Sequence, residues 1–297
     1  MTGIGRPVIR ALRSVAAEIV LRLPEDSPLR ADVEGGEVVS LNIDGSIFPV
    51  VAQGFDWHFQ DTRAELSGLD PAAEYHLIDI GANVGLFCRQ VLANFSNVTS
   101  ASCYEPSPLN TGHLARNLAG FRDVRVLPFG LHRDEGELKF YLDARNGGNF
   151  SFNAEAVANR PFTEVTAPVR RITPELLRAH MPGAGAGRRL IWKSDTQGLD
   201  EVLMAEMPPA FWTDVDVALF EGWRIGKPAF DHDAFRAMLD AFPHAYRRRR
   251  GRMQRVEPGD IVAYLAADDR KWTDFCLSRR PLALDAAADH SAKCGPS

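Results

Sequence analysis

Leu77-Ile78-Asp79-Ile80-Gly81-Ala82-Asn83-Val84-Gly85-Leu86-Phe87 is the stretch from which the rest of the chain is most easily read. Leu77 to Ile80 is a short apolar run stopped by glycine, the pattern of a strand buried on both faces. Val84 to Phe95 has the spacing of a helix that follows at once. A strand feeding directly into a helix needs a sharp turn. Gly81 lets the backbone bend and come close to a ligand, Asn83 tolerates a left-handed conformation, and Gly85 permits tight packing of helix on strand. In open α/β sheets such a turn sits at the carboxyl end of a strand, where small ligands bind.

The same alternation continues downstream. Thr99 to Tyr104 reads as a second strand stopped by Glu105-Pro106, Leu109 to Leu118 as a helix, and Val124 to Leu131 as a third strand. Glu137 to Leu142 is an additional strand reached through the Asp134-Glu135-Gly136 turn, and residues 144–189 form a polar insertion with a helix near Pro174 to His180. Leu190 to Asp195 resumes the buried-strand pattern, a helix follows over Leu199 to Met207, and Val215 to Phe220 is the next strand. Ala245 to Val256 and Asp260 to Leu265 are predicted to pair as an antiparallel hairpin around Glu257-Pro258-Gly259. The expected fold is therefore α/β, a Rossmann-like and mostly parallel sheet with a C-terminal antiparallel hairpin.

Upstream, Val8 to Leu23 repeats apolar residues at helical spacing beside Arg6, Arg10, Arg13 and Arg22. Docking of this helix on its own domain is favoured over peripheral contact with a membrane. Glu37 to Ala52 reads as a β-hairpin turning at Asp44-Gly45, and Asp56 to Leu66 as a short helix or ordered loop. The expected divisions are an N-terminal helix and hairpin extension over 1–74, the sheet domain over 75–280, and a disordered Ala-rich tail over 281–297.

The 297 residues carry 34 Lys+Arg against 39 Asp+Glu, a formal charge of −5. A general nucleic-acid binder shows a dominating basic stripe, so nucleic acid is not an expected partner. Cys88, Cys103, Cys276 and Cys294 fall at no metal or redox spacing, which leaves no expected metal and fits a reducing cytoplasm. No run reaches the roughly 18 apolar residues of a spanning helix.

Glu105 ends the strand next to the glycine turn, where a carboxylate can accept two hydrogen bonds from vicinal ribose hydroxyls. Turn and carboxylate together specify a nucleoside. The dinucleotide fingerprint G-x-G-x-x-G is absent, because Asn83 stands at its second glycine. A nicotinamide-dependent oxidoreductase, the rival enzyme, would also continue the sheet with a parallel C-terminal strand. Other features carry less. Gly183 to Gly187 lacks the strand-to-helix setting of a phosphate loop, Asp231-His232-Asp233 reads as a helix start, and His58 and His132 as structural. Arg247 to Arg250, with Arg252 and Arg255, reads as an edge strand kept soluble by charge, with an anion site as the alternative.

Taken in order, the motifs resemble the FkbM family of class I methyltransferases. The resemblance covers residues 75–225, through Leu77 to Gly85, Tyr104-Glu105-Pro106-Ser107-Pro108, Gly148-Asn149-Phe150-Ser151, Lys193-Ser194-Asp195-Thr196-Gln197-Gly198 and Glu221. The chain departs from the family at Ser194, at Gly198-Leu199-Asp200, and at Trp223, where Glu-x-His is usual. The resemblance implies S-adenosylmethionine as cofactor and O-methylation of a sugar, glycan or natural-product hydroxyl. It implies that Asp79, Gly81, Ala82, Asn83 and Gly85 surround the methionine portion, that Glu105 holds the ribose, and that Phe129 and Gly130 lie near the adenine. Asp195 is the first catalytic candidate and Glu221 the second. A methyltransferase-like domain that binds without turnover is the non-enzyme alternative.

Overall fold

A computed structural model describes residues 29–33, 36–40, 62–182, 187–224, 228–249, 252–267 and 271–284. Their first half forms β1 (Leu29–Val33), β2 (Gly36–Ser40), β3 (Tyr75–Ile80), α1 (Leu86–Asn94), β4 (Val98–Tyr104), α2 (Pro108–Leu118), β5 (Val124–Leu127), β6 (Gly130–His132), β7 (Gly136–Asp143) and α3 (Ala154–Val157). There follow β8 (Phe162–Arg171), α4 (Pro174–Ala179), β9 (Arg189–Ser194), α5 (Asp200–Ala205), α6 (Pro209–Trp212), β10 (Val215–Trp223), α7 (His232–Leu239), β11 (His244–Arg249), β12 (Arg252–Val256), α8 (Pro258–Leu265) and β13 (Trp272–Ser278).

Eight strands make the central sheet in the order β12-β11-β13-β10-β9-β3-β4-β5. The strands from β5 to β10 run parallel, and β13, β11 and β12 close the sheet antiparallel. All six residues of β3 are buried, as a central strand covered on both faces requires. Its side chains alternate: Ile78 and Ile80 pack with Trp192, Phe211 and Trp212 on one face, while Tyr75 and Leu77 pack with Val91, Leu114 and Ile191 on the other. Burying each of these large side chains contributes about 1.5–3 kcal/mol. His76 sits among them fully buried between the hydroxyls of Ser100 and Ser102, at 2.8 and 3.1 Å, and burial pushes its imidazole down to about 3. No described helix is long and apolar enough to cross a membrane.

Chain order reverses at β3, which has β4 on one side and β9 on the other. This is the switch point at which open α/β sheets bind ligands. A second sheet, β6-β8-β7, hangs beside it with a small core of Phe140, Phe150 and Ala167.

Several expectations need correction. Asp260 to Leu265 is helical, within α8, and the C-terminal hairpin is β11 with β12. The reason is that Glu257 and Asp260 form a capping box with Pro258 at the first turn, so Glu257-Pro258-Gly259-Asp260 starts a helix where a β-turn was read. The run Val124 to Leu131 is two strands in two sheets, broken at Pro128, which cannot donate to the ladder. The polar insertion contains β8, which pairs antiparallel with β7 over Gly136↔Val169 to Asp143↔Phe162. Glu37 to Ser40 pairs backwards with β1, so the described hairpin closes between Val33 and Gly36; the expected turn at Asp44-Gly45 lies outside the described residues. The helix expected over Val8 to Leu23, His58 and the connector residues 183–186 also lie outside them. At the other end, Leu282 packs into the core and its N–H donates to the Tyr246 hydroxyl at 3.0 Å, so the start of the expected tail is ordered.

Candidate active-site cleft

The turn after β3 is built as its residue types demand. Gly81 has φ +72°, and a Cβ there would lie 2.1 Å from the Asp195 carbonyl oxygen. Only glycine admits so close an approach of the β9 end. The N–H groups of Gly81 and Ala82 both donate to the Tyr104 carbonyl, at 3.0 and 3.1 Å, and Asp195 N–H donates to the Ile80 carbonyl at 3.0 Å. Asn83 is left-handed at φ 50°, and Gly85, at φ 84°, brings α1 so near α2 that a Cβ would meet Leu114 at 2.8 Å. The N-terminus of α1 thus faces the gap between β3 and β4.

Glu105 faces the same gap and is 4% exposed. One carboxylate oxygen accepts from Asn83 N–H at 2.8 Å and the other from Ser107 N–H at 2.9 Å. Burial pushes its carboxyl up to about 7, against the pull of the Ser107 and Asn83 N–H groups and of Lys193. The Asn110 side-chain amide also hydrogen-bonds to this carboxylate, which leaves only part of its accepting capacity for a ligand. The lobe it lines also presents Gly130, Phe152, Asn83 and Asn110. The side-chain oxygens of Asn83 and Asn110 are buried there without a hydrogen-bond partner among the described residues. Buried amide oxygens in that state favour a donor from outside.

Asp79 is placed elsewhere. It is fully buried, lines none of the described pockets, and pairs with Lys193 Nζ at 2.9 Å. The same ammonium donates to the Gly81 carbonyl at 2.9 Å. Burial raises the Asp79 carboxyl while Lys193 pulls it down; Lys193 itself is held above its ordinary value by Asp79 and Asp195 despite its burial. The pair pins the turn from behind. Phe129 likewise stands behind the lobe, packed edge-on to Tyr104 at 5.8 Å with Arg170 over its ring at 5.9 Å, while Gly130 forms the wall.

A second lobe, of about 390 Å³, opens on the other side of the turn between Phe87, Lys193, Glu221 and Arg248. Gly81, Asn83 and Asp195 line both lobes, so Asp195 stands where they meet. Gln197, another left-handed residue at φ 55°, bridges the two candidate acids: its Nε2 donates to Asp195 at 2.8 Å and to Glu221 at 3.2 Å. Trp223 Nε1 also donates to Glu221, at 2.7 Å, so the tryptophan at the departing position supplies a hydrogen bond and no base. Burial first, and then the Asp195 charge, pushes the Glu221 carboxyl well above the usual carboxylate range. Ser151 ties the second sheet to this loop by donating to the carbonyls of Thr196 and Gln197, at 3.2 and 3.0 Å.

The five segments quoted for the resemblance therefore converge on one cleft. Lys193, Gln197 and Asn110 received no role from the sequence. Lys193 carried a signal, a charge inside a buried strand, which demands a partner. Among the arginines of β11 and β12, Arg248 lines the second lobe and is paired with Glu65 and Asp274, while Arg247 lies over the Tyr264 ring at 5.4 Å, so alternate residues serve different faces. Asp231 caps α7, accepting from Asp233 and Ala234 N–H, both at 2.9 Å.

The central sheet is α/β and mostly parallel, closed by antiparallel strands at one edge. No model of a known protein family matches the chain, and no curated protein does. Among solved structures, methyltransferase FkbM from Methylobacillus flagellatus is similar over 92% of this chain at 12% identity and a TM-score of 0.39, and this chain spans 60% of that one. The 23S rRNA methyltransferase ErmE is similar over 80% of this chain and 75% of its own, at 12% identity and a TM-score of 0.33. A SAM-dependent methyltransferase from Leishmania major is similar over 90% and 82%, at 8% identity and a TM-score of 0.33.

Proposed function

We propose that the chain is an S-adenosylmethionine-dependent methyltransferase that acts on a hydroxyl of a sugar, glycan or related natural product. The observation that carries this reading is Glu105, a buried carboxylate fixed by two backbone N–H groups beside a turn that excludes any side chain at Gly81. A ribose hydroxyl fits the accepting capacity that remains on this carboxylate, and the partnerless oxygens of Asn83 and Asn110 fit amino or hydroxyl donors of a nucleoside. Gly130 lets the Phe152 ring pack directly against the backbone of this wall, where a Cβ would meet it at 2.5 Å. Gly81, Ala82, Asn83 and Gly85 would shape the wall for the methionine portion. We assign Asp79 to holding that wall through Lys193, and Phe129 to backing the adenine wall. The antiparallel closure of the sheet and Asn83 at the second glycine position disfavour a nicotinamide cofactor. Three described cysteines, Cys88, Cys103 and Cys276, are free and buried, which fits a reducing compartment.

S-adenosylmethionine, once bound, would supply an electrophilic methyl carbon activated by its sulfonium. The chain's residues must align the acceptor oxygen, exclude water and receive its proton. Alignment is worth roughly 7–11 kcal/mol of barrier. Asp195, where the lobes meet, is our candidate for accepting the hydroxyl proton and passing it to solvent, and Gln197 holds its carboxylate in place. Glu221 is the second candidate through the same amide.

Calorimetry should show saturable binding of S-adenosylmethionine and S-adenosylhomocysteine and none of NAD; binding of NAD alone would overturn the cofactor. Over candidate glycans, release of S-adenosylhomocysteine should fall about 10²–10⁴-fold in Asp195→Asn with cofactor affinity kept. An unchanged rate would remove Asp195 from the mechanism. Cofactor binding with no turnover on any acceptor would favour the binding-only alternative.

A further inference from the structure

Next to the second lobe lies a third cavity of about 290 Å³, walled by Trp223, Trp272 and the segment from Asn149 to Arg160. Trp223 and Trp272 face each other across β10 and β13 in the antiparallel register and stack, with ring centroids 6.0 Å apart and planes 24° from parallel. Trp272 is 58% exposed, a large apolar side chain held at the surface. Around it the wall carries the amides of Asn149, Asn159 and Gln197, the guanidinium of Arg160 and the carboxylates of Glu155 and Glu221, with Ala156 between them. The rim is preorganised, because the buried Asp143 carboxylate accepts from Arg160 at 2.9 Å and from Asn149 at 3.0 Å.

An indole face open to water, ringed by amides and charged forks, suits a ligand with an apolar face and hydroxyls around its edge. A pyranose ring has that shape. Its axial C–H groups would lie on the indole, and its equatorial hydroxyls would reach the amides. The volume is at the small end for ligand pockets, which suits a single ring. Glu221 and Gln197 line this cavity and also belong to the carboxylate network reaching Asp195, so a ring seated here has one edge turned towards the reaction centre. We propose that the cavity is the acceptor subsite, taking one hexopyranose unit stacked on Trp272 and gripped by Asn149, Asn159 and Gln197. The link to methyl transfer rests on the function proposed above; the binding of the sugar does not.

The test is a saturation-transfer NMR titration with methyl α-glycosides of glucose, mannose and galactose, with sorbitol as an acyclic control, using the full chain with S-adenosylhomocysteine present. We expect at least one pyranoside to saturate in the millimolar range and sorbitol not to. Trp272→Ala should weaken that binding about tenfold and Trp272→Phe should restore most of it, as an aromatic contact of this kind requires. Calorimetry with S-adenosylhomocysteine should be unchanged in Trp272→Ala, which separates loss of the platform from loss of the fold. The proposal is overturned if no pyranoside saturates by about 50 mM, if sorbitol competes equally, if Trp272→Ala binds like wild type, or if that variant also loses S-adenosylhomocysteine. Pyranoside binding without any S-adenosylhomocysteine binding would sink the methyltransferase reading and leave the sugar site standing.

Discussion

Glu105 and Asp79 look alike in the sequence, each a carboxylate near the end of one of two neighbouring strands, yet they meet different partners. Asp79 is spent on Lys193, while Glu105 is buried facing the cleft and held by the Asn83 and Ser107 N–H groups and the Asn110 amide. Burial, only partly offset by those hydrogen bonds and by Lys193, makes Glu105 titrate near neutrality, at about 7. Its folded pKa lies above the 4.5 of the free side chain. Its contribution to folding stability is therefore complete below about pH 4.5 and is lost as pH rises through 7. Ligand binding runs the other way, since ribose hydroxyls need the ionised form to donate to. Cofactor affinity measured by calorimetry should fall about tenfold from pH 8 to pH 6. Glu105→Gln should bind more weakly at pH 8 and show a flat profile. A wild-type profile that is itself flat over this range would remove Glu105 from the cofactor site.

At the scale of elements, strand register decides which side chains share a face. Asp79 of β3 lies directly opposite Lys193 of β9 and Cys103 of β4 in the parallel ladders, so all three point the same way. A reading one strand at a time finds an acid and a base over a hundred positions apart and cannot pair them. Removing one partner should be costly: Lys193→Met leaves a buried carboxylate uncompensated, with an expected loss of about 3–5 kcal/mol in denaturant unfolding. Asp79→Asn combined with Lys193→Met should recover much of that loss, because the charge goes with its partner. Additivity of the two single variants would show that they do not interact. The same scale explains the misread elements. β8 is the middle strand of the small sheet, yet it carries Pro168 and leaves most of its residues exposed, so its pattern is weaker than that of the fully buried β3. In α8, Pro258 and Gly259 resemble a turn until Asp260 is seen to cap the helix.

Across the whole molecule, the cleft forms only when β3, β4, β9 and the second sheet are in place together. A ligand that binds this assembly and not the unfolded chain must raise the unfolding temperature. S-adenosylhomocysteine at a hundred times its dissociation constant should contribute about 2.7 kcal/mol, or roughly 4–6 °C for a chain of this size. NAD should leave the transition where it is. No shift with S-adenosylhomocysteine would remove the proposed cofactor.

By itself the sequence determined the alternation of strands and helices, the glycine turn at Gly81 with Asn83 and Gly85, and the placing of Glu105 and Asp195 at strand ends. These follow from local physics, from apolar periodicity and from the few residue types that tolerate a left-handed backbone. Tertiary structure alone decided that Asp79 answers Lys193, that Gln197 bridges Asp195 and Glu221, and that Trp223 meets Trp272. Each of those depends on which strands become neighbours and in what register, and that is settled by burying the whole core at once, not by any segment's own preference.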